Sequence, residues 1–397
     1  MSFADLGVSR PVADALKKRG IVAPFPVQRM VTGDVLAGHD VLVQSPTGSG
    51  KTLAFGVPIV ERLGRHDPKP AALVLVPTRE LAIQIVDELR PLTDSRGLSI
   101  APVYGGVGIE KQANRAAKSQ VIVATPGRLE DLLNRRAIDL GRIRTLVIDE
   151  ADRMLDMGFK PTVDRIVART PRERQTVFCS ATLEAAAGKQ ARAYTRDARR
   201  HVHEPEAAEV GEVRHRFVHL AHEAKVGALV AELRESERGR TLVFVRTKRG
   251  ADRLVKRLGK HRVQAVAMHG NKSQPQRQKA LGRFASGDVD TLVATDVAAR
   301  GVDVDDITHV INFDAPGDRD AYVHRVGRTA RAGRDGTGIS FILPEQAGEM
   351  RKVAAGLGLS REFEHGQPTH VASRGNSANR RRPHRNHKRP NGRRVNR

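Results

Sequence analysis

Short apolar runs alternate along the chain with stretches long enough for helices, and they do so twice. In the first half the runs fall at 41–43, 73–76, 121–124, 146–148 and 176–179. In the second half they fall at 241–245, 263–267, 291–294, 309–313 and 339–343. Apolar runs separated by helical stretches predict βαβ units, hence parallel sheets covered by helices on both faces. Between the halves, His203-Glu204-Pro205-Glu206 and the residues up to Gly211 break the alternation with Pro, Gly and acids, which predicts a linker. From Gly366 onward there is no acid, no aromatic and hardly any apolar side chain, so that segment cannot bury a core and is expected to be disordered. The expected organisation is an α/β domain over 1–203, a linker over 204–212, a second α/β domain over 213–365 and a disordered Arg-rich tail over 366–397.

Composition narrows the partners. A chain of 397 residues is long enough for two ordinary α/β domains and a tail. The formal net charge of +23 points to a polyanionic partner, nucleic acid first. The tail alone holds nine Arg and Lys388 with no acids, which leaves +13 on the remainder. The single cysteine, Cys179, rules out a disulfide framework and a cysteine-based zinc site, and fits a reducing cytosol. The N-terminus shows no charged stretch followed by an apolar one, and no apolar run approaches the ~20 residues needed to span a bilayer. A soluble, cytoplasmic protein is expected.

Two local patterns carry chemistry. Ser45-Pro46-Thr47-Gly48-Ser49-Gly50-Lys51-Thr52 lies between the apolar 41–43 and 53–55, which reads as strand, Gly-rich turn and helix. Backbone N–H groups in such a turn point at phosphates and the helix N-terminus adds positive potential. Lys51 then reaches the β/γ-phosphates and Thr52 offers a hydroxyl to Mg²⁺. Thr145 to Ile148 reads as a short buried strand with Asp149-Glu150-Ala151-Asp152 at its carboxyl end, where open parallel sheets place ligands. A carboxylate pair there can divide two tasks, one holding Mg²⁺ and one activating a water for attack on a phosphate. Together the two patterns indicate a nucleoside triphosphatase.

The order of motifs resembles the DEAD-box family of ATP-dependent RNA helicases, over roughly residues 3–343. Phe3, Gly20, Pro24 and Gln28 look like that family's adenine-reading Q motif, with Phe25 standing where a small hydroxyl residue is usual and Ser45 replacing the first glycine of the phosphate loop. A Gln amide has a donor and an acceptor and can pair with an adenine edge. The resemblance implies two RecA-like domains in tandem, ATP and Mg²⁺ as ligands, and local, non-processive unwinding of RNA. By resemblance Asp149 holds Mg²⁺, Glu150 is the general base, and Thr47 to Thr52 with Asp303 lie against the nucleotide. Arg328 and Arg331 would be arginine fingers, three apart and on one face if the segment is helical. Ser180, Thr182 and His324 would couple hydrolysis to RNA, although hydroxyls near a strand end equally suit a helix cap. RNA contacts carry over to Pro77, Thr78, Arg79, Gly105, Gly106, Thr125, Pro126 and Arg128 in the first domain. In the second they carry over to Arg246, Thr247, Gly270, Gln274, Arg277, Thr295 and Arg300. These are residue types that hold a backbone without reading sequence. A scaffold that kept the fold without turnover would be expected to lack Lys51, Glu150 or an arginine finger. A DNA translocase is disfavoured by the Q motif and the Asp-Glu-Ala-Asp spelling.

Overall fold

The structure, a computed structural model, describes residues 1–46, 48–183, 185–203, 211–235, 238–299, 304, 306–330 and 334–365. Two parallel sheets organise it. The first contains β1 (Val41–Gln44), β2 (Ala72–Leu75), β3 (Ile100–Val103), β4 (Val121–Ala124), β5 (Thr145–Ile148), β6 (Gln175–Ser180) and β7 (Arg199–Val202), in the spatial order β3-β4-β2-β5-β6-β1-β7. The second contains β8 (Val213–His219), β9 (Arg240–Phe244), β10 (Val266–Met268), β11 (Thr291–Ala294), β12 (Ile307–Asn312) and β13 (Gly336–Ile342), in the order β10-β11-β9-β12-β13-β8. All pairings are parallel. The expected two-sheet α/β architecture is therefore present. The tail and residues 204–210 of the expected linker lie outside the described residues.

Three strands escaped the apolar pattern, and each lies at a sheet edge. β3 contains Pro102, β7 reads Arg199-Arg200-His201-Val202, and β8 mixes Arg214, His215 and Arg216 with apolar residues. An edge strand pairs on one side only, so Pro and charge are tolerated there and discourage pairing with other chains. β10, the remaining edge, is shifted: expected at 263–267, it forms at Val266–Met268. Central strands β2, β4 and β5 are buried along their whole length, and helices cover both faces. In the first lobe one core cluster includes Phe55 and Leu89, and the other includes Leu129 and Phe178. Burying a side chain of this size contributes about 1.5–3 kcal/mol. Cys179 sits inside β6, where burial pushes its thiol well up, so it acts as a small apolar residue.

Helix starts are fixed by side-chain caps placed just after strands. Thr78 Oγ1 accepts from Leu81 N (3.3 Å) to open the helix Arg79–Ser95, and Thr247 Oγ1 accepts from Gly250 N (3.0 Å) to open Lys248–Lys260. Ser273 and Gln276 form a reciprocal capping box at Gln274–Ala285. Each cap satisfies an amide left without a partner in the first helical turn. The caps hold these helix starts at the carboxyl ends of the strands they follow.

Candidate active site and nucleic-acid interface

The sheet order separates two sets of residues at the carboxyl edges. The phosphate loop follows β1, Asp149-Glu150 follows β5 and Ser180 closes β6. These strands lie together as β5-β6-β1. Thr78-Arg79, Gly105-Gly106 and Thr125-Pro126 follow β2, β3 and β4, which form the other half of the same sheet. In the second lobe Arg246-Thr247, His269-Gly270 and Thr295 follow β9, β10 and β11, again neighbours. One half of the first sheet thus presents triphosphate chemistry, while the other half and its counterpart in the second lobe present backbone-binding groups.

The phosphate loop turns through two glycines in the left-handed region, Gly48 (φ 86°) and Gly50 (φ 89°). A Cβ on Gly50 would fall 2.7 Å from both Gln28 Nε2 and Phe25 Cδ2, so backbone conformation and space both require glycine there. Lys51 Nζ donates to the carbonyls of Ser45 (2.7 Å) and Pro46 (2.5 Å), and Ser45 Oγ bonds Ser49 Oγ (2.6 Å). The serine in place of the first glycine thus ties the two sides of the loop together. Gln28 is buried: its Oε1 accepts from Phe25 N (2.9 Å) and its Nε2 donates to Gly50 O (3.0 Å), which leaves one N–H and one lone pair on the amide. Phe25, 59% exposed, lays its ring beside Gly50. Phe3, expected against the nucleotide, is 3% exposed and packed in the first-lobe core. Thr47 lies outside the described residues.

Asp149 follows the apolar β5 and is buried. Burial pushes its carboxyl up to about 7, with Lys51 opposing the rise and Glu150 adding to it. Its Oδ1 accepts from Glu150 N (3.0 Å). Glu150 adopts a left-handed backbone (φ 52°, ψ 49°), and its Oε2 accepts from Arg153 Nη1 at 2.5 Å in a buried ion pair. Arg153 was missed in the sequence, although its i,i+3 spacing from Glu150 is the signal that would have found it. Asp152 Oδ2 accepts from Ala181 N (3.0 Å), and Ser180 Oγ donates to Thr182 O (2.5 Å). The carboxylate motif after β5 is therefore bonded directly to the segment after β6.

A cavity of about 150 Å³ gathers Gly48, Lys51, Thr52, Asp149 and Glu150 from the first lobe and Arg328 from the second. Arg328 arrives from a turn, not from the helical face that its spacing to Arg331 suggested. The helix Arg319–Val326 stops at the Gly327 cap, and Ala330 is left-handed (φ 56°). His324 is exposed. Arg325, between them, is a buried support that grips Asp296 with two donors (2.5 and 2.8 Å), Asn312 Oδ1 (3.1 Å) and Asp314 O (2.7 Å). Arg300, Asp303 and Arg331 lie outside the described residues.

Two residues expected on the nucleic-acid track also meet the first lobe beside Arg79. Gln274 and Arg277 are buried at the seam between the lobes, where Gln274 Nε2 reaches Glu80 Oε1 (3.3 Å) and Arg277 Nη2 reaches Glu80 Oε2 (2.9 Å). Glu80, next to Arg79 in the stretch 77–82 where contacts to RNA are expected by resemblance, is thus their shared partner. In the first lobe Arg79 and Arg128 lie beside the turn that holds Gly105 and Gly106. Arg79 lies against Gly105 and Gly106, where a Cβ on Gly106 (φ 88°) would fall 2.4 Å from its Nη1. Arg128 Nη1 donates to Val107 O (3.1 Å) and Gln112 Oε1 (2.9 Å). Two guanidinium groups therefore flank one glycine-rich turn. In the second lobe Lys248 Cε would be 3.3 Å from a Cβ at Gly270, which brings the turns after β9 and β10 together.

Comparison with known proteins fits this geometry. Residues 25–189 match the DEAD/DEAH box helicase family and residues 224–333 match the helicase conserved C-terminal domain. The chain belongs to the DEAD-box helicase family. It is 38% identical over 361 residues to the DEAD-box ATP-dependent RNA helicase CshA of Bacillus subtilis, covering 89% of this chain and 72% of that protein. It is also 38% identical over 354 residues to the ATP-dependent RNA helicase CshA of Limosilactobacillus reuteri, covering 89% and 71%. Among solved structures, S. cerevisiae Dbp5 bound to RNA and ADP BeF3 superposes with a TM-score of 0.80 at 27% identity, over 90% of this chain and 94% of that one. A superposition of that quality across both lobes extends the likeness from each lobe to their relative placement. Among the described residues no helix is long and apolar enough to cross a membrane.

Proposed function

We propose that this protein is an RNA-stimulated ATPase that opens or remodels short RNA duplexes locally, in the cytoplasm. The observation that carries the reading is the position of Arg328. A guanidinium of the second lobe lines the same cavity as Lys51, Thr52, Asp149 and Glu150 of the first, so the reactive set is complete only with the lobes together. In this reading Lys51 leaves the Ser45 and Pro46 carbonyls to bind the β/γ-phosphates, alongside the amides of the loop. Glu150 takes the proton of the attacking water through the oxygen that Arg153 does not hold. Arg328 offsets the charge that spreads over the transferring phosphoryl group. Gln28 offers its remaining N–H and lone pair to the adenine edge. Thr52 and Asp149 are hard oxygen donors, and a buried carboxyl whose ionisation is opposed by burial is stabilised by a cation, so the pair fits Mg²⁺ held largely by phosphates and water. When bound, that ion would neutralise phosphate charge.

RNA would lie across both lobes on the turns after β2, β3 and β4 and after β9, β10 and β11. Contact there is to the backbone, which makes binding insensitive to sequence. Because RNA and ATP each favour the closed arrangement, each raises the affinity for the other. ATPase rates with RNA and DNA strands of equal length, measured for the parent and for Arg328→Ala, test the reading. RNA should stimulate the parent more than DNA, and Arg328→Ala should lose about 10³-fold or more in turnover while retaining ATP binding. Turnover that ignores RNA, or survives loss of Arg328, would overturn it.

A further inference from the structure

The helix Lys248–Lys260 carries far more charge than a solvated face needs. Residues 246–262 contain eight Lys or Arg and one acid, Asp252. Asp252 is already engaged, holding His269 Nε2 (3.0 Å) and Lys272 Nζ (2.9 Å). Ala251, Leu254 and Leu258 bury the opposite side against the second sheet. Along the exposed side Arg249, Arg253, Lys256 and Lys260 recur at intervals of four, three and four, which lines them up on one face. That stripe is about 16 Å long, with one cation per turn. None of the four has an ion-pair partner among the described residues. Beside the helix, Arg253 and Arg257 line a groove of about 630 Å³ together with Arg246, Lys225, Asp314, Glu345 and Glu349. Asp314 is paired with Lys225, and the two glutamates reduce the surplus of the three arginines without cancelling it.

Placement says what the stripe meets. The helix begins at Thr247, and Lys248 lies against Gly270, so its cations continue directly from the turns after β9 and β10. Its partner must be anionic, which excludes the chain's own tail, where ten cations face no acid. One cation per turn resembles the repeat of phosphates along a strand, which an irregular acidic protein surface lacks. We propose that the face of Lys248–Lys260 is a second RNA-backbone surface, holding the strand or duplex arm that flanks the nucleotides bound across the two lobes. The inference rests on the RNA-stimulated ATPase reading and lengthens its footprint.

The test is a triple charge reversal, Arg249→Glu, Arg253→Glu and Lys256→Glu, all exposed positions outside the triphosphate site. ATPase is measured against a short strand of about eight nucleotides and a long one of about thirty, at several salt concentrations. The parent should reach half-saturation at lower concentrations of the long RNA than of the short one. The variant should lose that advantage, with the salt slope on long RNA reduced by about 2, and should keep parental half-saturation and turnover on short RNA. The corresponding Gln variants should show a smaller loss in the same direction, which separates charge from misfolding. Equal weakening on both lengths would overturn the proposal by making the helix part of the central track. No change on either would also overturn it and leave an acidic protein as the partner. Failure of the parent to respond to any RNA would instead sink the ATPase reading itself.

Discussion

Glu150 carries a local backbone cost that its neighbours hold in place. A non-glycine residue at φ 52° is disfavoured by about 1–3 kcal/mol, and such strain concentrates at functional sites. Here the Asp149 carboxylate bonds its amide and Arg153 holds its side chain. The left-handed turn lets two successive carboxylates reach one cavity, which a regular strand, with side chains alternating between faces, would not allow. Glu150→Gln keeps size and hydrogen-bonding capacity, so Mg·ATP and RNA should still bind while turnover falls by about 10²–10⁴-fold. Parental turnover in that variant, measured with saturating RNA and ATP, would remove Glu150 from the role of base. The residues readable from sequence were those whose chemistry is packed into a few consecutive positions: Lys51 and Thr52 after a Gly-rich turn, Asp149 and Glu150 after an apolar run. Arg153 was not, because its value lies in a partner rather than in a motif. The burial of Phe3 was not legible either: sequence order says that an aromatic is near a site but not which side of the backbone it occupies.

Central strands and capped helices were legible for a different reason from that which hid the edges. β2, β4 and β5 are enclosed on both faces and so must be apolar throughout. β3, β7 and β8 answer to one neighbour and to solvent, and their Pro and Arg residues look like loop. The seam between the lobes was hidden further still, since nothing local in Gln274 or Arg277 marks Glu80, almost two hundred positions away, as their partner. With the lobes together this ion pair is dry on both sides, and removing one partner of such a pair typically costs about 3–5 kcal/mol. With the lobes apart, both groups would be wetted and the cost would vanish. The loss in Arg277→Ala should therefore appear in the coupling between ATP and RNA rather than in thermal stability. Each of Arg277→Ala and Glu80→Ala should weaken RNA binding in the presence of ATP analogue more than in its absence. The double variant should be little worse than either single one. Additive losses would mean that the two side chains do not act on closure through each other.

One cavity takes residues from both lobes, and the distribution of charge over the chain suggests a division of labour in holding RNA. The turns after β2 to β4 and β9 to β11 hold a fixed backbone geometry, whereas residues 366–397 bring +10 without a single acid. A segment with ten cations and no acid can hold phosphates non-specifically, which on the proposed reading keeps RNA close to the lobes. Truncation after Glu364 should leave saturated ATPase turnover nearly parental and raise the RNA concentration needed to reach it. If about five of the ten tail charges meet phosphates, the slope of log affinity against log salt should shrink by about 3–4 for single strands. This differs from the effect of reversing the Lys248–Lys260 stripe, a fixed surface beside the track that short strands cannot reach. If the tail holds RNA through charge alone, truncation should weaken short and long strands alike. A slope unchanged by truncation would mean that the tail does not touch RNA, and a loss confined to long strands would mean that it acts at a fixed place.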